Sequence, residues 1–221
     1  LPTSRHQCRP AARGRPAHAW YLDLELLERY WGGTHAYHHT ISSTLVYALR
    51  EGLRRLRASL GVPGEFPAEA LDEAERSSAH PVLPSRDCTD IEFVTIDPAG
   101  STDLDQAFHL SRVGSGYLLR YAIADVAAFV TPGGLVDAEA QRRGETLYAP
   151  TSRTPLHPAV LSEGATSLLP GQVRPALIWE LQLDESGRTT AARVERGLVR
   201  SRAQLTYTGA QGTTLPVSVV A

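Results

Sequence analysis

The alternation of apolar and polar residues predicts an α+β chain built around one sheet. Five apolar or alternating segments predict strands of a mixed or antiparallel sheet, and these are residues 91–97, 107–110, 117–126, 176–183 and 189–199. The last two segments flank Asp-Glu-Ser-Gly at residues 184–187, which predicts a β-hairpin. The expected fold class is therefore a sheet with flanking helices, preceded by a helical segment.

Helical periodicity predicts four helices, at residues 20–31, from Ser42 or Ser43 to about Leu60, at residues 67–77 and at residues 136–143. The second of these helices has a leucine stripe at Leu45, Leu49, Leu53 and Leu56. The polar residues 35–40 before it predict a loop. The Gly/Pro-rich residues 61–67 predict a domain boundary. We therefore predict a disordered segment at 1–15, a helical segment at 16–62 and a second domain at 63–221.

Composition narrows the class of protein. The net charge is −2, and every one of the 22 basic residues is arginine, so nucleic-acid binding would depend on local arginine clusters. No apolar run is long enough for a transmembrane helix, so we expect no membrane partner. Cys8 and Cys88 lack metal-ligand spacing, which favours a reducing compartment and a cytoplasmic location. We expect a monomer.

The candidate chemistry lies where the strand predicted at residues 91–97 ends. Asp97, Asp103 and Asp105 place three carboxylates within nine residues, and Gln106 adds an amide. Two interpretations of this pattern compete. It could be a solvated acidic turn or a helix N-terminus capped by aspartate. It could equally be a Mg²⁺ site for phosphoryl chemistry, because hard divalent ions prefer oxygen ligands.

Residues 66–207 resemble the catalytic domain of the ribonuclease II family, the RNB domain. Five motifs occur in the family's order, and these are TIDPAGSTDLDQAF at 95–108, YAIADVAAFV at 121–130, DAEAQRRGETLYAP at 137–150, TPLHPAVLSEGATSLLPG at 154–171 and ERGLVRSRAQLTY at 195–207. Because five motifs in order are far more specific than one, the resemblance favours the metal site over the solvated turn.

The resemblance implies a Mg²⁺-dependent exoribonuclease that hydrolyses single-stranded RNA from the 3′ end to nucleoside monophosphates. Asp97, Asp103 and Asp105 match acidic residues that bind metal in the family, and Asp103 and Asp105 are the expected catalytic residues. Gln106 stands where most members have a fourth aspartate, so we expect it to ligate metal weakly. Tyr148 matches an aromatic residue that stacks on the terminal nucleotides.

Three further residues have structural interpretations. We expect His109 to be structural and His157 to be a partly exposed histidine. Asp125 could orient groups near the site, but burial with a hydrogen-bond partner would also explain it.

The family domain is about half again as long as the matching segment, and its second half supplies an arginine that stabilises transition-state charge. The resemblance therefore implies weak RNA binding and poor or no cleavage by these residues alone. The alternative function is a non-catalytic RNA-binding remnant or a fragment of a fusion protein.

Residues 19–55 resemble a different family, the class V aminotransferases of the alanine–glyoxylate and serine–pyruvate type. In that family, residues matching Tyr37 and Thr40 contact the phosphate of pyridoxal phosphate. The chain has no lysine, so it cannot form the aldimine on which that chemistry depends. We therefore expect no pyridoxal phosphate.

Overall fold

The computed structural model describes residues 35–150, 152–212 and 217–219, with side chains at 45–150 and 152–210. The chain divides into two compact units, Leu1–Gly61 with Tyr148–Ser152, and Val62–Leu147 with Arg153–Ala221. The three domain ranges given above stay predictions. Within the described ranges, no helix combines the length and the hydrophobicity that a bilayer crossing requires.

The first unit contains one described helix, α1, at His35–Ser59. Two expectations were wrong here, because residues 35–40 are helical and Ser42 and Ser43 lie inside the helix. No glycine or proline occurs from residue 35 to residue 51, so nothing interrupts the helical hydrogen bonds. Within the predicted leucine stripe, Leu45 is 69% exposed. The helix predicted at residues 20–31 lies outside the described residues.

The second unit is built on a six-stranded sheet. Its strands are β1 (Phe93–Ile96), β2 (Gln106–Val113), β3 (Gly116–Ala124), β6 (Val173–Leu183), β7 (Thr189–Leu205) and β8 (Val217–Val219). Two short strands, β4 (Leu147–Ala149) and β5 (Ser152–Thr154), form a separate two-stranded sheet. The predicted α+β class, with a mixed sheet and flanking helices, is confirmed.

The six strands lie in the order β1-β7-β6-β3-β2-β8, and β1 also pairs with β2 where Val94 lies opposite Phe108. The sheet therefore closes on itself. The β1–β7 and β2–β8 pairs are parallel, and the other pairs are antiparallel. The predicted hairpin is the β6–β7 pair. Asp184 Oδ1 accepts hydrogen bonds from the backbone N–H groups of Ser186 and Arg188, both at 2.9 Å, and this fixes the turn.

Small and branched side chains fill the interior of the closed sheet. The buried cluster consists of Cys88, Phe93, Leu104, Ala107, Ala122, Ala124, Leu168, Ala176, Ile178 and Val199. His109 is also buried, and its pKa is lowered by that burial and by the charge of Arg120. Leu104 belongs to the loop that carries the acidic residues, so this core anchors that loop from within.

The remaining elements of the second unit are α2 (Ala68–Ala79), a 3₁₀ turn (Val126–Ala128), α3 (Leu135–Arg143), a π-helical turn (Val160–Ala165) and α4 (Tyr207–Gly212). A second apolar cluster joins the first four of these elements, with Leu161 fully buried in it. The buried Arg143 pairs with Glu139 at 2.8 Å, and its guanidinium lies 3.6 Å from the ring centroid of Phe66. Leu161 in this cluster packs the π-helical turn, which flanks the candidate site, against the helices.

Candidate active site

The acidic residues lie in the loop between β1 and β2, residues 97–105, which we call the acidic loop. Its first half is fixed to β7. The backbone N–H of Asp97 donates to the carbonyl of Leu205 at 2.9 Å. The Gln204 amide donates to the carbonyls of Pro98 and Ser101 at 3.4 and 3.3 Å. Gly100 has φ of 84°, a conformation that glycine adopts without strain, and the chain turns there.

The second half of the acidic loop is fixed by one buried serine and the core. The hydroxyl of Ser167 accepts from the Leu104 N–H at 3.0 Å and donates to the Thr102 carbonyl at 2.6 Å. The Leu104 side chain is fully buried, whereas its neighbours Asp103 and Asp105 are not. The buried leucine therefore leaves an aspartate on each side of it at the surface of the core.

The three aspartates are close enough to repel one another. Burial raises the pKa of Asp97, and the charges of Asp105 and Asp103 raise it further. Asp105 is exposed as a residue, but partial desolvation of its carboxylate raises its pKa, and the charge of Asp103 adds to this, although a backbone hydrogen bond acts in the opposite direction. The structure therefore brings the three predicted carboxylates into one electrostatic cluster, where a cation would relieve their repulsion.

Asp103 has a cationic partner that the sequence did not indicate. Arg153 Nη1 donates to Asp103 Oδ2 at 2.6 Å, and Arg153 Nη2 donates to Glu163 in the π-helical turn. Glu163 also accepts a hydrogen bond from Thr102 Oγ1 at 2.9 Å. We call the chain of contacts Asp103–Arg153–Glu163 the Arg153 bridge.

Gln106 also has an internal partner. The hydroxyl of Tyr121, on the neighbouring strand β3, donates to Gln106 Oε1. Burial raises the pKa of Tyr121, and the charge of Asp105 raises it further, so the phenol keeps its proton. The amide oxygen that could ligate a metal is therefore already an acceptor.

Tyr148 belongs to the first unit, and its side chain is 75% exposed. Asp125 is 2% exposed and accepts a hydrogen bond from Arg196 Nε at 2.6 Å. Burial beside a charged partner is therefore sufficient to explain an aspartate at this position. His157 is half-buried, and burial lowers its pKa.

Sequence reasoning missed the residues that surround the acidic loop. Arg153, Glu163, Ser167 and Tyr121 contact the loop or the adjacent Gln106 from 15 to 65 residues away. Tyr121, Glu163 and Ser167 lie inside the motifs at residues 121–130 and 154–171, and Arg153 directly precedes the second of these motifs. Membership in or beside these motifs was the available signal, but it does not indicate which of their residues contact the acidic loop.

The ligand types at the acidic loop are those that a hard divalent cation binds. Three carboxylates and one amide oxygen are ligands that Mg²⁺ accepts. Among the described side chains, however, no group of three histidine, cysteine, aspartate or glutamate residues is arranged around one metal position. Two of the four donors already have internal partners, since Asp103 accepts a hydrogen bond from Arg153 and Gln106 accepts one from Tyr121.

Comparison with known proteins identifies the family. The family model described as the RNB domain matches residues 85–214. The chain belongs to the RNB domain family. The acidic loop, β1 to β3 and the β6–β7 hairpin all lie inside the matched range, so the RNB domain accounts for the candidate site.

Two curated relatives and one solved structure show how much of an RNB protein this chain represents. It is 37% identical over 153 residues to ribonuclease R of Acidithiobacillus ferrooxidans, covering 66% of this chain and 34% of the relative. It is 37% identical over 123 residues to ribonuclease R of Escherichia coli, covering 55% and 15%. The structure of Mycoplasma genitalium RNase R with ribose-methylated single-stranded RNA matches with a TM-score of 0.67 and 25% identity, covering 75% and 27%. The chain thus spans at most about a third of these relatives.

Proposed function

We propose that this chain carries the metal-binding part of a 3′-to-5′ exoribonuclease site that hydrolyses single-stranded RNA to nucleoside monophosphates. The observation that supports the proposal most directly is the cluster of mutually repelling carboxylates at the end of β1 in an RNB-family chain. RNB-family nucleases generally depend on a divalent metal, and we propose Mg²⁺ here. A cytoplasmic location and a monomeric state remain predictions.

We assign the metal to Asp97, Asp103, Asp105 and Gln106. A bound divalent ion would polarise the scissile phosphate and supply hydroxide at neutral pH. Asp105 and Asp103 are the proposed catalytic residues, because they flank the anchored Leu104 and lie in the same electrostatic cluster. The hydrogen bonds of Ser167 fix the backbone of the acidic loop at Thr102 and Leu104, which would help to position the carboxylates relative to a phosphate.

Tyr148 is the proposed contact to RNA bases. Its exposed ring is available for stacking, which contributes about 1–3 kcal/mol per base and is largely independent of sequence. The assignment rests on the motif at residues 137–150.

A second function has an observation in its favour. Asp103 is paired with Arg153, and Gln106 replaces a carboxylate, so the site has fewer free anionic ligands than the sequence alone suggests. A chain with a weakened metal site could bind RNA without cleaving it.

Incubation of the whole chain with uniformly labelled oligo(A), with Mg²⁺ or EDTA, separates the two functions. The nuclease proposal expects Mg²⁺-dependent release of AMP that Asp105→Asn abolishes. The matched control is Asp72→Asn, which removes an exposed aspartate of α2 and should leave release unchanged. RNA binding without release in Mg²⁺ would support the non-catalytic function, and neither binding nor release would refute both.

A further inference from the structure

The Arg153 bridge connects the acidic loop to the π-helical turn. We infer that Arg153 is an internal counter-ion of Asp103, and that a divalent cation binds only when Asp103 exchanges the guanidinium for the ion. The inference depends on the proposed metal site, which it deepens by naming the group that competes for that site.

The geometry of Arg153 permits this exchange. One nitrogen, Nη1, contacts Asp103 and the other, Nη2, contacts Glu163, so the guanidinium spans the two carboxylates. The side chains of Arg153 and Asp103 are 34% and 35% exposed. Water therefore reaches the ion pair, and a solvated ion pair exchanges partners at far lower cost than a buried one.

Glu163 gives Arg153 a second partner after the exchange. It is held in place by Thr102 Oγ1 and lies in the π-helical turn, which packs through Leu161 against the second apolar cluster. When Asp103 turns to a metal ion, the guanidinium keeps its contact with Glu163. The exchange thus breaks one ion pair and leaves no charged group without a partner.

The Arg153 bridge also explains the arrangement of the acidic residues. Three carboxylates that repel one another would be expected to converge only around a cation. Among the described side chains, the Arg153 guanidinium is the cation that contacts Asp103, and no three carboxylates there surround one metal position. Removing this guanidinium should favour the metal.

The test measures Mn²⁺ binding to the full chain, with the concentration of free Mn²⁺ determined by electron paramagnetic resonance. Arg153→Gln should bind Mn²⁺ about fivefold more tightly than the wild type, the upper range for one exposed ion pair. Arg202→Gln is the matched control, because it removes an exposed arginine whose guanidinium donates to the backbone carbonyls of Thr89 and Asp90. It should change the affinity by less than about twofold, which corresponds to the weak effect of a distant exposed charge.

The outcomes separate this inference from the proposed function. Unchanged or weaker Mn²⁺ binding by Arg153→Gln, with binding still lost in Asp105→Asn, would overturn the inference and leave the metal site standing. Equal tightening by Arg202→Gln would also overturn it, because a general charge effect would then suffice. Absence of Mn²⁺ binding by both the wild type and Arg153→Gln would overturn the metal site and the inference together.

A measurement on the wild type avoids dependence on the folding of variants. The Nε–H resonance of Arg153 can be assigned by its absence from the nitrogen–proton spectrum of Arg153→Gln or Arg153→Lys. Titration with Mg²⁺ should shift this resonance as Asp103 leaves, over the same concentration range in which the loop amides of residues 102–105 shift. A loop that responds to Mg²⁺ while the Arg153 resonance does not move would contradict the exchange.

Discussion

Ser167 provides the most direct test of how the fold positions the candidate site. It is 1% exposed, and its hydroxyl makes two hydrogen bonds to the backbone of the acidic loop, from the Leu104 N–H and to the Thr102 carbonyl. Ser167→Ala removes both hydrogen bonds and changes the side-chain volume by little more than one oxygen atom. The variant therefore isolates the hydrogen bonds from the packing of the core.

The expected cost follows from the two groups left without partners. The Leu104 N–H is buried, and an unsatisfied buried donor costs about 1–3 kcal/mol. The Thr102 carbonyl is partly buried, and the lost hydrogen bond there costs about 0.5–1.5 kcal/mol. We expect Ser167→Ala to lower the free energy of unfolding by about 3 kcal/mol, a large part of the stability of an ordinary domain.

Urea unfolding followed by far-ultraviolet circular dichroism measures this difference. The matched control is Ser78→Ala in α2, whose hydroxyl donates to the Glu75 carbonyl at an exposed position, 2.7 Å away. We expect the control to change the free energy of unfolding by less than about 0.5 kcal/mol. If Ser167→Ala were as mild as the control, the acidic loop would not depend on this serine, and the reasoning about its fixed geometry would be refuted.

Three further predictions follow from named contacts. Arg143→Ala should lower the free energy of unfolding by about 3–5 kcal/mol, because it leaves the buried Glu139 without its buried partner. The control Arg142→Ala removes the exposed partner of Glu139 and should lower the free energy of unfolding by less than about 1 kcal/mol in the same urea experiment. Gly116→Ala should cost about 1–3 kcal/mol or more in the same assay, since its Cβ would lie 2.2 Å from the backbone oxygen of residue 183. Asp105→Asn should raise the melting temperature at pH 7 without metal. A raised pKa means that the folded state disfavours the charged carboxylate, so the wild type loses stability as pH rises through that pKa. Below the ordinary aspartate pKa of about 3.9 the carboxyl group is protonated in both states, so the higher melting temperature of the variant should vanish there.

The strands and turns were predictable because their signals are local. The apolar run that became β1 and the Asp-Glu-Ser-Gly turn of the β6–β7 hairpin each lie within a few consecutive residues. The closure of the sheet was not predictable from such patterns. It requires β1 to form an antiparallel pair with β2 and a parallel pair with β7. In the second pair Phe93 lies opposite Ser201, which is over 100 residues away in the sequence. Periodicity along a strand shows which residues share a face, but it does not identify a distant partner strand.

The candidate site shows the same division. The acidic motif located Asp97, Asp103 and Asp105, and the charges of Asp105 and Asp103 raise the pKa of Asp97 in addition to its burial. The motif could not reveal Arg153, because an arginine on a short strand is an ordinary surface residue until its partner is known. The predicted polar loop at residues 35–40 failed for the opposite reason. Its histidines were interpreted by polarity, although polar residues are compatible with a helical backbone.

The Arg153 bridge links the stability of the site to its affinity for metal. Without a cation, Arg153 offsets the negative charge at Asp103, and removing it would leave the repulsion among the three aspartates less compensated. With a cation present, the same guanidinium competes for a ligand. The two effects have one physical cause, so a substitution at Arg153 must lower stability in EDTA and raise Mn²⁺ affinity together. A variant with lower stability in EDTA and weaker Mn²⁺ binding would show that Arg153 stabilises the metal site instead of competing with the metal for Asp103.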